Sequence, residues 1–265
     1  MTRPASRTLA IASGKGGVGK STVALNLGVT LAATGANVGL LDADLYAPDV
    51  PAMVGLTRRR PARALEVWHN PALGDERSRP VEAFGVKLMS TQFLMAEDQT
   101  VAMTSSMAEL LVSKLTTGLD WGALDWLLVD LPPGTADVQQ VIAKELRPDG
   151  VVIVVTPQDV AHLDAKKAIS MYRTRGVDVI GGVENMAGLV CPCCGERIEV
   201  FPPVAPERSI WADNVAKLAS IPLQPAVARA GEDGVPAVVA DPDGPLADAF
   251  RSLARSIDER LGVTS

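Results

Sequence analysis

Short apolar runs alternate along this chain with longer segments whose apolar residues recur at helical spacing. Leu9-Ala10-Ile11-Ala12, Val38-Gly39-Leu40-Leu41, Val86-Lys87-Leu88-Met89, Trp126-Leu127-Leu128-Val129 and Val151-Val152-Ile153-Val154-Val155 are the clearest runs. Such runs suit strands buried on both faces, as in a parallel sheet. Strands are expected at about 8–13, 38–41, 86–89, 126–130, 151–155, 177–183 and 219–223. Helices are expected at about 20–33, 106–117, 160–174 and 245–261. Met107, Leu110, Leu111 and Leu115 form the expected core face of the second helix. Leu246, Phe250, Leu253, Ile257 and Leu261 form that of the last. This alternation predicts an α/β fold, a doubly wound, mostly parallel sheet with right-handed crossovers.

Residues 57–84 break the pattern and read as an irregular surface excursion, with a short hairpin around Leu65-Glu66-Val67-Trp68. The basic run from Arg58 to Arg63 reads as solvated surface, and His69 as an exposed loop histidine. At 265 residues the chain fits one large domain over 1–265. The formal net charge of −6 argues against a general nucleic-acid-binding surface, and 4% aromatic residues leave no obvious base-stacking platform. With no signal-peptide pattern and no apolar run long enough to span a bilayer, a cytoplasmic protein with neither nucleic-acid nor membrane partners is expected.

The chemistry starts between the first strand and the first helix. Gly14, Gly19, Lys20 and Ser21 match G-x-x-x-x-G-K-[ST] in a strand–turn–helix context, the pattern of a phosphate-binding loop. Glycines let backbone N–H groups turn toward phosphate oxygens, and the helix N-terminus adds partial positive charge. Lys20 is expected on the β- and γ-phosphates, and the Ser21 hydroxyl on Mg²⁺. Asp42-Ala43-Asp44 ends the second strand, where ligands sit in open α/β sheets. Asp130 ends an apolar run, a Walker B pattern that would organise Mg²⁺. Pro132-Pro133-Gly134-Thr135 follows as a loop suited to sensing the γ-phosphate. His162, near the start of a helix, reads as structural.

All three cysteines lie within Cys191-Pro192-Cys193-Cys194-Gly195, which is no disulfide framework. Cys191 and Cys194 have the spacing of two thiolates on one metal centre. Two ligands fall short of the usual four, and a two-fold dimer would supply the rest. Buried thiols, a redox pair and half of a zinc knuckle are the alternatives. Cys193 is a spare thiol or an alternative ligand.

Gly14-Lys15-Gly16-Gly17-Val18-Gly19-Lys20-Ser21-Thr22 resembles the deviant Walker A loop of the MinD/Mrp/ParA/nitrogenase-iron-protein group. Together with Leu41-Asp42-Ala43-Asp44-Leu45-Tyr46, Asp130-Leu131-Pro132-Pro133-Gly134-Thr135, Thr156-Pro157-Gln158, Val183-Glu184-Asn185-Met186 and the cysteine segment, it resembles the Mrp/ApbC family of iron–sulfur cluster carrier ATPases. The resemblance covers nearly the whole chain. It implies a homodimer in which Lys15 reaches the partner's ATP, Asp44 positions the attacking water and Asn185 contacts adenine. It implies a [4Fe-4S] cluster held by Cys191 and Cys194 of two subunits, with ATP hydrolysis coupled to transfer to apo iron–sulfur client proteins. A positioning ATPase of the ParA/MinD kind, bound to DNA or membrane, is the alternative. A nitrogenase-iron-protein-like reductase ranks last, because that group draws its cysteines from two separated segments. The sequence departs from the family at Ala47-Pro48-Asp49, Ala136, Ala102–Ser105, Cys193 and Pro203–Pro206.

Overall fold

A computed structural model describes residues 4–44, 48–56, 79–94, 105–134, 137–191 and 193–262. Among these, nine strands form one sheet. They are β1 (Arg7–Ala12), β2 (Val38–Asp42), β3 (Val81–Ala83), β4 (Val86–Ser90), β5 (Trp126–Asp130), β6 (Gly150–Val155), β7 (Val179–Val190), β8 (Arg197–Ile198) and β9 (Lys217–Leu223). The order is β3-β4-β2-β5-β1-β6-β7-β8, with β9 also on β7. Only the β3–β4 and β7–β8 pairings are antiparallel among the described strands.

The helices are α1 (Lys20–Ala33), α2 (Val50–Met53), α3 (Ser105–Thr117), α4 (Asp137–Leu146), α5 (Asp159–Thr174), α6 (Pro225–Glu232), α7 (Ala237–Ala240) and α8 (Pro245–Arg260). Strand residues alternate between two apolar cores. Leu9, Ile11, Leu40, Leu128 and Val152 pack with α1 and α8 on one face. Ala10, Ala12, Leu41, Val129 and Ile153 pack with α3, α4 and α5 on the other. Consecutive residues of an extended chain point to opposite faces, so strands covered twice must be apolar throughout. Helix α1 is buried almost all round, between the sheet and α8.

The expected doubly wound sheet is present, with three local corrections. Leu110 is not part of the α3 core face; it is 59% exposed, while Val112 and Leu115 are buried. Packing against α4 turns the helix toward that stripe. The irregular excursion does not extend to residue 84. Val81–Ala83 pairs with Val86–Leu88, and Phe84 and Gly85, both at positive φ, form the two-residue turn that matches strand twist. Strand β7 does not stop near residue 183. Pairing with β9, and then with β8, carries it to Val190. The basic run, the suggested hairpin at 65–68, His69, and the departures at Ala47, Ala102–Thr104 and Ala136 lie outside the described residues. No helix among the described residues is long and apolar enough to cross a membrane.

Candidate functional site

The turn from β1 into α1 is fixed by close approach. A Cβ on Gly14 would fall 2.1 Å from the backbone carbonyl carbon of Asp164, so the loop lies directly against α5. Gly19 has φ 81°, and a Cβ there would meet Asn185 Nδ2 at 2.2 Å. Both positions therefore exclude any side chain. The loop is tied down at its far side as well. Asn185 Nδ2 donates to the Val18 carbonyl at 2.8 Å, Ser13 Oγ donates to Lys15 O at 3.0 Å, and the Gly134 N–H donates to Ser13 O at 3.0 Å. Gly16 and Gly17 stay exposed beside it. Lys20, Ser21 and Thr22 begin α1, whose N-terminus presents its dipole to this loop.

Three strand ends bring the acidic residues to the same place. Asp42 faces Ser90 on β4 and Asp130 on β5 in register. Lys20 Nζ donates to Asp130 Oδ1 at 2.5 Å and to Ser21 Oγ at 3.2 Å. Asp130 Oδ2 is buried and has no hydrogen-bond partner among the described residues. Burial raises the Asp130 carboxyl, and the Lys20 ammonium opposes that rise. Burial also pushes Asp42 well above the usual carboxylate range, and the charge on Asp130 pushes it further. Asp44 is buried beside them, close enough to act electrostatically on Asp130. Lys15 Nζ lies 3.4 Å from Gln158 Oε1, which also accepts from Thr156 Oγ1 at 3.3 Å.

A cavity of about 740 Å³ opens from the loop, lined by Gly19, Thr22, Asn185, Met53, Leu223 and Phe250 among others. It has the size and apolar walls of a small-molecule site. Asn185 and Met186 face it from β7, where Met186 adopts a left-handed backbone at φ 57°. Glu184, one residue earlier, faces a second cavity of about 650 Å³ with Arg197, Trp211 and His162. His162 Nδ1 accepts the Ile210 N–H at 3.1 Å, and its buried Nε2 has no hydrogen-bond partner among the described residues.

The cysteines occupy a hairpin where β7 runs out. Leu189 pairs with Ile198 and Val190 with Arg197, and the Cys191 N–H donates to Glu196 O at 2.8 Å. The chain turns tightly between them. The Gly195 N–H donates to Cys191 O at 2.9 Å, and Gly195 has φ 75°. The backbone N–H groups of Cys193 and Cys194 point at the Cys191 sulfur and hold its thiol below the ordinary value. Cys193 and Cys194 are exposed, and all three thiols are free. N–H groups converging on one sulfur favour the thiolate, the form that binds metal.

The fold thus gathers Gly14–Thr22, Asp44, Asp130 and Asn185 around one site. It sets Cys191 and Cys194 apart, on a hairpin whose residues do not line the nucleotide-sized cavity. Sequence reasoning missed Ser90 and the cavity walls Met53, Leu223 and Phe250. These come from separate strands and helices, and no local spacing announces them. Gln158 carried a signal, since it closes the Thr156-Pro157-Gln158 segment that follows a buried strand.

A family model described as NUBPL iron-transfer P-loop NTPase, within the ParA group, matches residues 5–258. The iron-sulfur cluster carrier protein of Synechocystis sp. is 40% identical over 97% of this chain and 71% of its own. A nucleotide-binding protein from Archaeoglobus fulgidus, solved in complex with ADP, shares 33% identity and superposes with a TM-score of 0.74 over 93% of each chain. The cell division ATPase MinD of Pyrococcus furiosus superposes at 0.69 over 96% of this chain and 99% of its own; at 23% identity that likeness speaks to the fold alone. By sequence over nearly its whole length, and by the architecture around its phosphate loop, the chain belongs to the NUBPL-type iron-transfer P-loop NTPases.

Proposed function

We propose that this P-loop NTPase hydrolyses ATP to control an iron–sulfur cluster carried by Cys191 and Cys194, and that two copies of the chain share that cluster. The observation that carries the reading is the course of β7. The strand that presents Asn185 and Met186 to the nucleotide-sized cavity continues into the hairpin bearing Cys191 and Cys194. A change at the nucleotide therefore has a covalent, hydrogen-bonded route to the thiols. The name of the Synechocystis relative supports the choice of cargo.

The residues around the loop fit a Mg²⁺–nucleotide. The unpartnered, buried Asp130 Oδ2 suits a cation, and Ser21 Oγ lies beside the same lysine. Ser21 and Asp130 would hold Mg²⁺, which when bound neutralises charge on the β- and γ-phosphates. The backbone of Gly14–Gly19 would cradle the phosphates, and Lys20 would exchange its Asp130 contact for a phosphate oxygen. Asn185 would meet the adenine, and Asp44 would orient the attacking water. Lys15 would act on the nucleotide of the second copy. Each copy offers two thiols at Cys-x-x-Cys spacing, and a [4Fe-4S] cluster takes four. Apo iron–sulfur proteins would then receive the cluster.

Anaerobic cluster reconstitution followed by absorption and EPR spectroscopy tests the reading. A cluster that binds the natural chain but not Cys191→Ala/Cys194→Ala supports it. Equal binding by both, or by neither, refutes it. Salt-sensitive, ATP-dependent retention on DNA would instead favour a positioning ATPase.

A further inference from the structure

Ser90 lies outside the phosphate loop and belongs to none of the motifs around it, yet it ends up at the centre of the acidic site. It is the last residue of β4 and is fully buried. Parallel pairing sets it opposite Asp42, and Asp42 opposite Asp130, so the three form one row across the carboxyl end of the sheet. Ser90 Oγ donates to Asp42 Oδ2 at 2.9 Å. The same oxygen accepts the Gln92 N–H at 3.2 Å, which fixes the hydroxyl in this orientation. The other oxygen of Asp42, Oδ1, accepts the N–H of Asp44 at 3.2 Å, closing a side-chain turn of the kind aspartate makes with the residue two further on. Asp42 is thus gripped at both oxygens, by a β4 hydroxyl on one side and by the backbone of Asp44 on the other. Its third neighbour is Asp130, opposite it on β5. Ser90 Oγ is the donor that the described hydrogen bonds give to Asp42 Oδ2.

We propose that Ser90 is a positioning residue for ATP hydrolysis, acting through Asp42 to fix the backbone, and hence the carboxylate, of Asp44. The proposal rests on the reading of Asp44 as the group that orients the attacking water. Ser90 itself touches neither nucleotide nor water. A misaligned water costs turnover rather than binding, because the described hydrogen bonds of Ser90 go to Asp42 and Gln92 and not to the phosphate loop, and Ser90 does not line the base cavity.

The test is steady-state ATPase kinetics with separately measured ATP affinity and melting temperature for Ser90→Ala, Ser90→Thr, Asp42→Asn, Ser90→Ala/Asp42→Asn and Asp44→Asn. Ser90→Ala is expected to lower kcat about tenfold, the scale of one buried hydrogen bond, with ATP affinity held within about twofold. Ser90→Thr, which keeps the hydroxyl, restores turnover. The double variant is no slower than Asp42→Asn alone, since the serine acts only through that aspartate. Natural turnover in Ser90→Ala alongside a slow Asp44→Asn overturns the relay and leaves the Asp44 reading standing. Additive losses in the double variant, or parallel losses of kcat, affinity and melting temperature in Ser90→Ala, also overturn it. Natural turnover in Asp44→Asn overturns the Asp44 reading itself, and the relay with it.

Discussion

Lys20 and Asp130 form a buried ion pair, Nζ to Oδ1 at 2.5 Å, with the lysine 6% and the aspartate 0% exposed. The same ammonium is the group expected on the nucleotide phosphates. Lys20→Ala should therefore abolish productive ATP binding, measured with a fluorescent ATP analogue. It should also lower the melting temperature, since removing one partner of a buried pair costs about 3–5 kcal/mol. Unchanged nucleotide affinity in this variant would contradict the assignment.

Lys15 stands apart from that pair, reaching Gln158 at the edge of the loop. Lys15→Ala should leave ATP affinity largely intact and slow hydrolysis, because its expected target is the nucleotide of the second copy. Wild-type turnover in Lys15→Ala would remove the trans role.

Asn185 has two tasks, gripping the Val18 carbonyl and facing the cavity. Asn185→Ala should weaken ATP binding about tenfold, roughly the loss of one or two hydrogen bonds. It should also narrow the preference for ATP over GTP, which competition binding reads directly. An unchanged preference would place base recognition elsewhere.

Burial holds His162 below the ordinary histidine value; nearby Glu184 and Asp159 oppose this, and Lys217 and Lys166 reinforce it. The folded state thus binds a proton there less readily than the unfolded chain. This contribution to stability is present above the unfolded histidine pKa of about 6.5 and is lost as pH falls through and below it. His162→Asn keeps an acceptor for the Ile210 N–H without a titrating ring. It should flatten the fall in melting temperature between about pH 7 and 5 relative to the natural chain. An identical slope in both would show that the histidine does not contribute.

The sheet and the phosphate loop were legible because they rest on local rules. Strands covered on both faces are apolar throughout, and Gly19-Lys20-Ser21 needs only its neighbours to be recognised. The α3 face was misread because Leu110 and Val112 are equally apolar, and only packing against α4 decides which one is buried. Strand β7 was read short because Asn185 and Gly188 look like strand breakers. Pairing with β9 carries the chain past them, with an irregularity in register between Asn185 and Leu189. The Ser90–Asp42 contact joins residues 48 apart in sequence, so only the sheet order reveals it.

The central claim is that one metal centre, held by thiols from two chains, belongs to this P-loop NTPase. Metal and acid-labile sulfide analysis of anaerobically purified protein, with the mass of the same sample measured by light scattering, tests it most directly. The account predicts a dimer carrying about four iron and four sulfide per pair of chains, both lost in Cys191→Ala/Cys194→Ala. Zinc without sulfide, or iron and sulfide undiminished in that variant, would contradict it.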